Sequence, residues 1–228
     1  MIAPVSPRMV LVAHGTVSAA GLATTERIAD AVRAERAGLT VELCYLDVAA
    51  PSLAATLDHV TSGVVVPLLL STGYHVETDI PELVAARNAR GAEIAVARHL
   101  GPDPALAYAL LDRLLTARAG RPPAASRAVV AAGSRRPGAL AEIAAISAQL
   151  SGLVGGPVAT FTVHDGLADE LAQLPQPVEA AVYLLAEGRF AAAADTAARD
   201  TGGWAAEPLG AHPAVVDLVL SRYDAARS

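Results

Sequence analysis

Apolar positions along the 228-residue chain gather in short continuous runs, separated by stretches with helical spacing. The most apolar run, Val64 to Leu70, shows no two-residue alternation and therefore predicts a strand buried on both faces of a parallel sheet. Met9–Ala13, Thr40–Leu46 and Ala92–Ala97 predict three further strands. Between them the spacing predicts a helix from about Thr25 to Ala37 ended by Gly38, and a short one opened by Pro51 and Ser52 that carries Leu53 and Leu57. A third helix runs from about Asp79 to Arg90 and is ended by Gly91, and Leu106, Leu110, Leu111, Leu114 and Leu115 mark a fourth. Four strand–helix units in succession imply a parallel sheet with right-handed crossovers.

Residues 120–125 have the composition of a linker, and beyond them the pattern restarts. Ala128–Ala132 followed by Gly133-Ser134 echoes Met9–Ala13 followed by His14-Gly15-Thr16. Ala180–Leu185 with Glu187-Gly188-Arg189-Phe190 echoes the central strand with Thr72-Gly73-Tyr74-His75. Leu209-Gly210-Ala211-His212-Pro213 echoes Leu100-Gly101-Pro102-Asp103-Pro104. The expected architecture is α/β: two tandem doubly wound domains, 8–119 and 126–227, each a four-stranded parallel sheet flanked by helices, with a cleft between them.

Composition narrows the function. A net charge of −6 argues against a nucleic-acid binder, which needs a basic face to neutralise phosphates. The single cysteine, Cys44, reads as a small buried strand residue and excludes an internal disulfide or a multi-cysteine metal site. Met1–Pro7 lacks the basic start of a secretion signal, and the run Val64–Leu70 is too short to cross a membrane, so a protein of the reducing cytoplasm is expected.

Candidate chemistry lies at the strand ends, where open α/β sheets bind ligands. His14 follows the first strand and His75 the third, each close to a glycine, whereas the second repeat has Ala132 and Phe190 in those places. In the common strand order 2-1-3-4 the two histidines leave adjacent strands in the same direction, and two neutral imidazoles without a thiolate suit iron, cobalt, nickel or zinc. Asp47, at the end of the second strand, reads either as a carboxylate ligand or as a turn cap. Asp79 reads as a helix N-cap, Glu77 as a solvated loop residue, His212 as a cap, and His59 as a surface residue near a helix C-terminus. His99 and His164 lie beyond strand ends without a sequence partner.

Three stretches carry a resemblance: VLVAHGT around His14, YLDVAAPSL around Asp47, and VVVPLLLSTGYHVETDIP around His75. With the two-repeat layout they resemble the sirohydrochlorin chelatases, class II enzymes that insert a divalent metal into a tetrapyrrole without ATP. The resemblance implies that His14 and His75 are the metal-binding and catalytic residues. It also places Ser71, Thr72, Gly73 and Tyr74 against the macrocycle, whose carboxylates would require local arginine: Ser134-Arg135-Arg136 are the first candidates and Arg189 the next, the alternative being ordinary surface charges. The family commonly has glutamate where this chain has Asp47. No organic cofactor is expected; Fe2+ is the favoured metal co-substrate and Co2+ the other candidate, for siroheme or cobalamin synthesis respectively. A monomer is the expected active form, with a dimer compatible. A non-catalytic carrier of tetrapyrrole or metal on the same fold is the competing reading, whereas a metal-dependent hydrolase lacks an evident general base beside bound water.

Overall fold

The computed structural model describes residues 8–134 and 136–227. In the first repeat, β1 (Arg8–Ala13), β2 (Thr40–Tyr45), β3 (Ser62–Pro67) and β4 (Glu93–Val96) form one parallel sheet in the order β2-β1-β3-β4. β1 is the hub, pairing with β2 from Arg8↔Thr40 to Ala13↔Tyr45 and with β3 from Met9↔Val64 to Val12↔Pro67. Met9, Val10, Leu11 and Val12 are all fully buried, because a strand with helices over both faces has no side to give to water. Val10, Val12, Cys44 and Val65 point to one face and pack with Leu53 and Leu57 of α2 (Leu53–Leu57) and with Ile80 and Val84 of α3 (Ile80–Asn88). Cys44 is buried as expected, donates to the Leu11 carbonyl, and burial pushes its thiol up to about 12.

Helix α1 (Ala19–Glu35) begins six residues before the predicted Thr25. The Ser18 hydroxyl accepts the Gly21 N–H and caps it, and the small residues of its first turn bear no strong apolar signal. Its buried Ile28, Ala29 and Val32 are the stripe that was legible. The third helix, α3, starts at Ile80, one residue from the expected Asp79, but a π-helical turn, His75–Asp79, leads into it, so His75 sits on a helical turn rather than in the expected loop.

The second repeat builds an equivalent sheet, β6-β5-β7-β8, from β5 (Ser126–Ala131), β6 (Ala159–Thr162), β7 (Val178–Tyr183) and the two-residue β8 (Trp204–Ala205), all parallel. Its core joins Ala128, Val130, Ala180 and Val182 to Leu167 and Leu171 of α6 (Leu167–Leu171) and to Ala194, Ala197 and Ala198 of α7 (Arg189–Asp200). Contrary to the expectation from continuous apolar runs, one helix, α5 (Pro137–Val154), is long and apolar enough to cross a membrane by length and composition. Alanine, serine and glycine interrupt its larger apolar residues and hid that length. Its Ala139, Ile143, Ile146 and Leu150 are buried, and it packs on α4 (Pro104–Arg118), β5 and β6.

The compact units do not part at residues 120–125. One comprises the described residues up to Leu100 and from Val216 onward; the other is Gly101–Val215. Helix α4 therefore packs on β7 and α5 of the second sheet, although it follows β4 in the chain. Most of α8 (Pro213–Arg227) joins the first unit, where Arg222 donates to the His99 and Leu100 carbonyls and Arg36 Nη2 meets Asp224 Oδ2 at 2.8 Å. A buried ion cluster fastens α4: Glu179 on β7, wholly inaccessible, bonds Arg118 of α4 at 2.8 Å and Arg127 of β5 at 2.5 Å. Removing one partner of such a cluster costs more than its net contribution, because the others lose their compensation. Glu179→Ala is expected to lower unfolding free energy by about 3 kcal/mol, read from urea denaturation.

Candidate metal centre

The carboxyl ends of β1, β2 and β3 bring the predicted residues of the first repeat to one rim. Beyond β1, Gly15 has φ +100, and a Cβ there would lie 1.9 Å from the Asp47 carbonyl oxygen. Only glycine permits this approach, which is closed by the Asp47 N–H donating to the His14 carbonyl at 2.9 Å. The backbone carrying His14 is thus locked against the β2 loop. From β3, the chain passes Ser71 and Gly73, both half-buried, to His75; the Thr72 hydroxyl donates to Glu77 at 3.0 Å and the Tyr74 ring is exposed. The expected solvated loop position of Glu77 is therefore an exposed position on the π-helical turn.

The His14 and His75 rings converge, with centroids 4.8 Å apart and planes inclined by 55°. That spacing fits one ion about 2.0–2.1 Å from a nitrogen of each ring. Asp79 does not cap α3; its Oδ2 lies 2.6 Å from His75 Nδ1. The π-helical turn puts both on one face four residues apart. A carboxylate there accepts a hydrogen bond from Nδ1–H, orients the ring and leaves the Nε2 lone pair free for a metal. Sequence reading missed this role because an acidic residue just before a helix is ordinarily a cap; a histidine four residues upstream was the available signal.

Asp47 keeps its turn role: Oδ1 accepts the Val48 N–H at 2.8 Å. Among the described residues no group of three or more histidine, cysteine, aspartate or glutamate side chains is disposed to hold a metal, so Asp47 does not complete a three-residue centre in this geometry. It acts on His14 through charge. Desolvation by burial, then the neighbouring His75, lower the His14 pKa below 6.5, and Asp47 partly offsets them. The neutral, metal-ready ring therefore persists to lower pH than a free imidazole would.

In the second repeat, matched hydrogen bonds fix which residues correspond. Leu46 N to Ala13 O is repeated by Val163 N to Ala131 O, and Leu100 N to Leu69 O by Leu209 N to Leu184 O. These registers put Ala132 in the place of His14, Phe190 in that of His75 and His164 in that of Asp47. The last correspondence was not visible in sequence. Both His164 nitrogens are engaged, Nδ1 accepting from Gly166 N–H at 3.0 Å and Nε2 meeting Glu170 at 3.1 Å, so the ring holds a turn. Ser134 Oγ accepts the Arg136 N–H; Arg136 is exposed, Arg189 lies 5.1 Å over the Phe190 ring, and Arg135 falls outside the described residues. His212 caps α8 through Ala214 N–H at 3.1 Å, as expected. His59 is exposed and bonded to Glu42, while His99 is buried.

A doubly wound parallel sheet with a carboxylate-backed imidazole pair on its rim, and a second sheet without one, has the fold of the two-repeat chelatases. Residues 8–117 match the CbiX family model, and the chain as a whole shares its fold with sirohydrochlorin chelatases of known structure. SirB from Bacillus subtilis, solved with Fe3+, aligns over 96% of this chain and 94% of its own at 20% identity and a TM-score of 0.79. SirB of subspecies spizizenii, a sirohydrochlorin chelatase solved in complex with cobalt, gives the same figures of 96%, 94%, 20% and 0.79. CbiX, described as the terminal enzyme for biosynthesis of siroheme in denitrifying bacteria, aligns over 97% of this chain and 100% of its own, at 22% identity and a TM-score of 0.68. No curated protein matches the sequence.

Two outcomes follow from this geometry. Gly15→Ala must displace the Asp47 backbone and should cost about 3 kcal/mol in unfolding free energy while weakening Co2+ binding at the histidines; denaturation and cobalt absorbance on the same sample read both. For His14, the unfolded chain binds more protons than the folded one below the ordinary value of 6.5, so this group's contribution to stability falls as pH drops through that range. An NMR titration of the metal-free protein should give the His14 ring a midpoint below 6.5.

Proposed function

We propose that the chain inserts a divalent metal ion, Fe2+ or Co2+, into sirohydrochlorin without ATP, one chain being the active unit in siroheme or cobalamin synthesis. The observation that carries the reading is the pairing of His14 with an Asp79-backed His75, on a fold shared with proteins that handle this macrocycle. Insertion requires the ion to shed water and two pyrrole N–H groups to lose protons. Two imidazoles hold a borderline divalent ion while leaving positions open for incoming pyrrole nitrogens; a thiolate-rich site would retain it. His14, kept neutral by desolvation and by His75, has its lone pair available near neutral pH for ligation or proton acceptance. Arg136 and Arg189, exposed at the carboxyl rim of the second sheet, are assigned to the macrocycle's carboxylates, and Ser134 and Arg135 go with them.

His75→Ala removes a half-exposed imidazole and little packing, so thermal stability should stay near that of the parent. Metal insertion, followed by the absorbance shift of sirohydrochlorin, should fall by orders of magnitude, while macrocycle binding by fluorescence quenching persists. Asp79→Ala should weaken metal affinity about 10–100-fold through loss of ring orientation. Insertion by His75→Ala at the parental rate would remove the basis of this assignment. A parent that binds both ion and macrocycle but never joins them would be a carrier.

A further inference from the structure

Among its described residues the first unit exposes four large apolar side chains: Val17, Val48, Tyr74 and Val96. Three of them, at 89%, 63% and 57% exposure, stand on the segments that follow β1, β2 and β3. These are the segments that carry His14, Asp47 and His75. Helix faces account for exposed apolar residues elsewhere, such as Tyr108 and Leu115 on α4.

Val48 is also strained. Its φ of +48 makes it the only non-glycine residue with positive φ among those described. The left-handed region is poor for any residue with a Cβ and worst for a β-branched one. The conformation is imposed from outside: Asp47 Oδ1 accepts the Val48 N–H at 2.8 Å, the Ala49 N–H turns back to the Asp47 carbonyl at 2.6 Å, and that carbonyl abuts Gly15. A loop built for stability would place glycine or asparagine here. Instead the chain holds a branched apolar side chain in solvent, one residue from the carboxylate that acts on His14. Strain and exposed apolar surface together are unfavourable to the free protein, and strained backbone of this kind concentrates at ligand contacts.

We infer that Val48, with Val17 and Tyr74 beyond the ends of the adjoining strands, is a contact for the apolar face of the tetrapyrrole and a determinant of its affinity, seating the ring against the rim that carries the histidine pair. This rests on the proposed tetrapyrrole reading and adds to it a residue that does no chemistry. The occupant is argued from continuity with the metal centre: a macrocycle giving up two N–H protons to an ion held at His14 and His75 must lie over the rim from which these three side chains project.

The experiment compares Val48→Asn with Val48→Leu. Asparagine suits the left-handed backbone and is close to valine in size but polar; leucine avoids β-branching and stays apolar. Both variants should unfold at or above the parental midpoint and bind Co2+ as the parent does. Val48→Asn should raise KM for sirohydrochlorin about tenfold, the scale of losing one partly buried apolar side chain, with kcat unchanged, because the contact is the same in ground and transition states. Val48→Leu should keep KM within about twofold of the parent, well under that loss. A parental KM in Val48→Asn, or equal rises in both variants, overturns the inference while leaving the chelatase reading intact. A parent that neither binds nor metallates sirohydrochlorin overturns both.

Discussion

The site depends on the register of β1 between its two parallel neighbours. Met9 to Val12 have no solvent-facing side, so the strand cannot slip by one residue without carrying its apolar set against the wrong helices. With that register fixed, the chain leaves β1 at Ala13 and β3 at Pro67, side by side and in one direction. The distance between the His14 and His75 rings is therefore set by the hydrophobic effect acting on residues that touch neither ring. Asp79 and the Gly15–Asp47 contact then refine the orientation at lower cost, since the heavy positioning is already done.

Much of this was legible in sequence, for a physical reason. A strand buried on both faces has to be apolar without interruption, so Val64–Leu70 announced both the parallel sheet and its third strand. The repeat was visible because turn residues recur at matched offsets, Gly15 with Gly133 and Gly73 with Gly188. What stayed hidden was set by three-dimensional context. The start of α1 was obscured because alanine, glycine and leucine in its first turn give no amphipathic stripe. The His75–Asp79 bond was obscured because a π-helical turn differs from an α-helical N-terminus only in hydrogen bonding. No local pattern encodes the strain at Val48 or the correspondence of His164 with Asp47, which arise where separate strands end together.

The two repeats show how one scaffold separates roles. The second keeps strand order, register and even the carbonyl contacts that close its loops, yet has an alanine and a phenylalanine where the first has imidazoles. Those replacements cost the fold nothing, since both positions lie past the strand ends and outside the core. In a protein of net charge −6, the exposed Arg136 and Arg189 at the second rim are a local concentration of positive charge, as the proposed acidic substrate would need.

The exchange of closing helices has a consequence of its own. Helix α4 leaves the first sheet to cover the second, and α8 returns from the second to the first. Severing the chain at 120–125 would therefore yield two pieces, each holding the other's cover and each baring the apolar residues that its missing helix protects. Such fragments are complements rather than domains, and either would be expected to persist in solution only when the other was present to trade with.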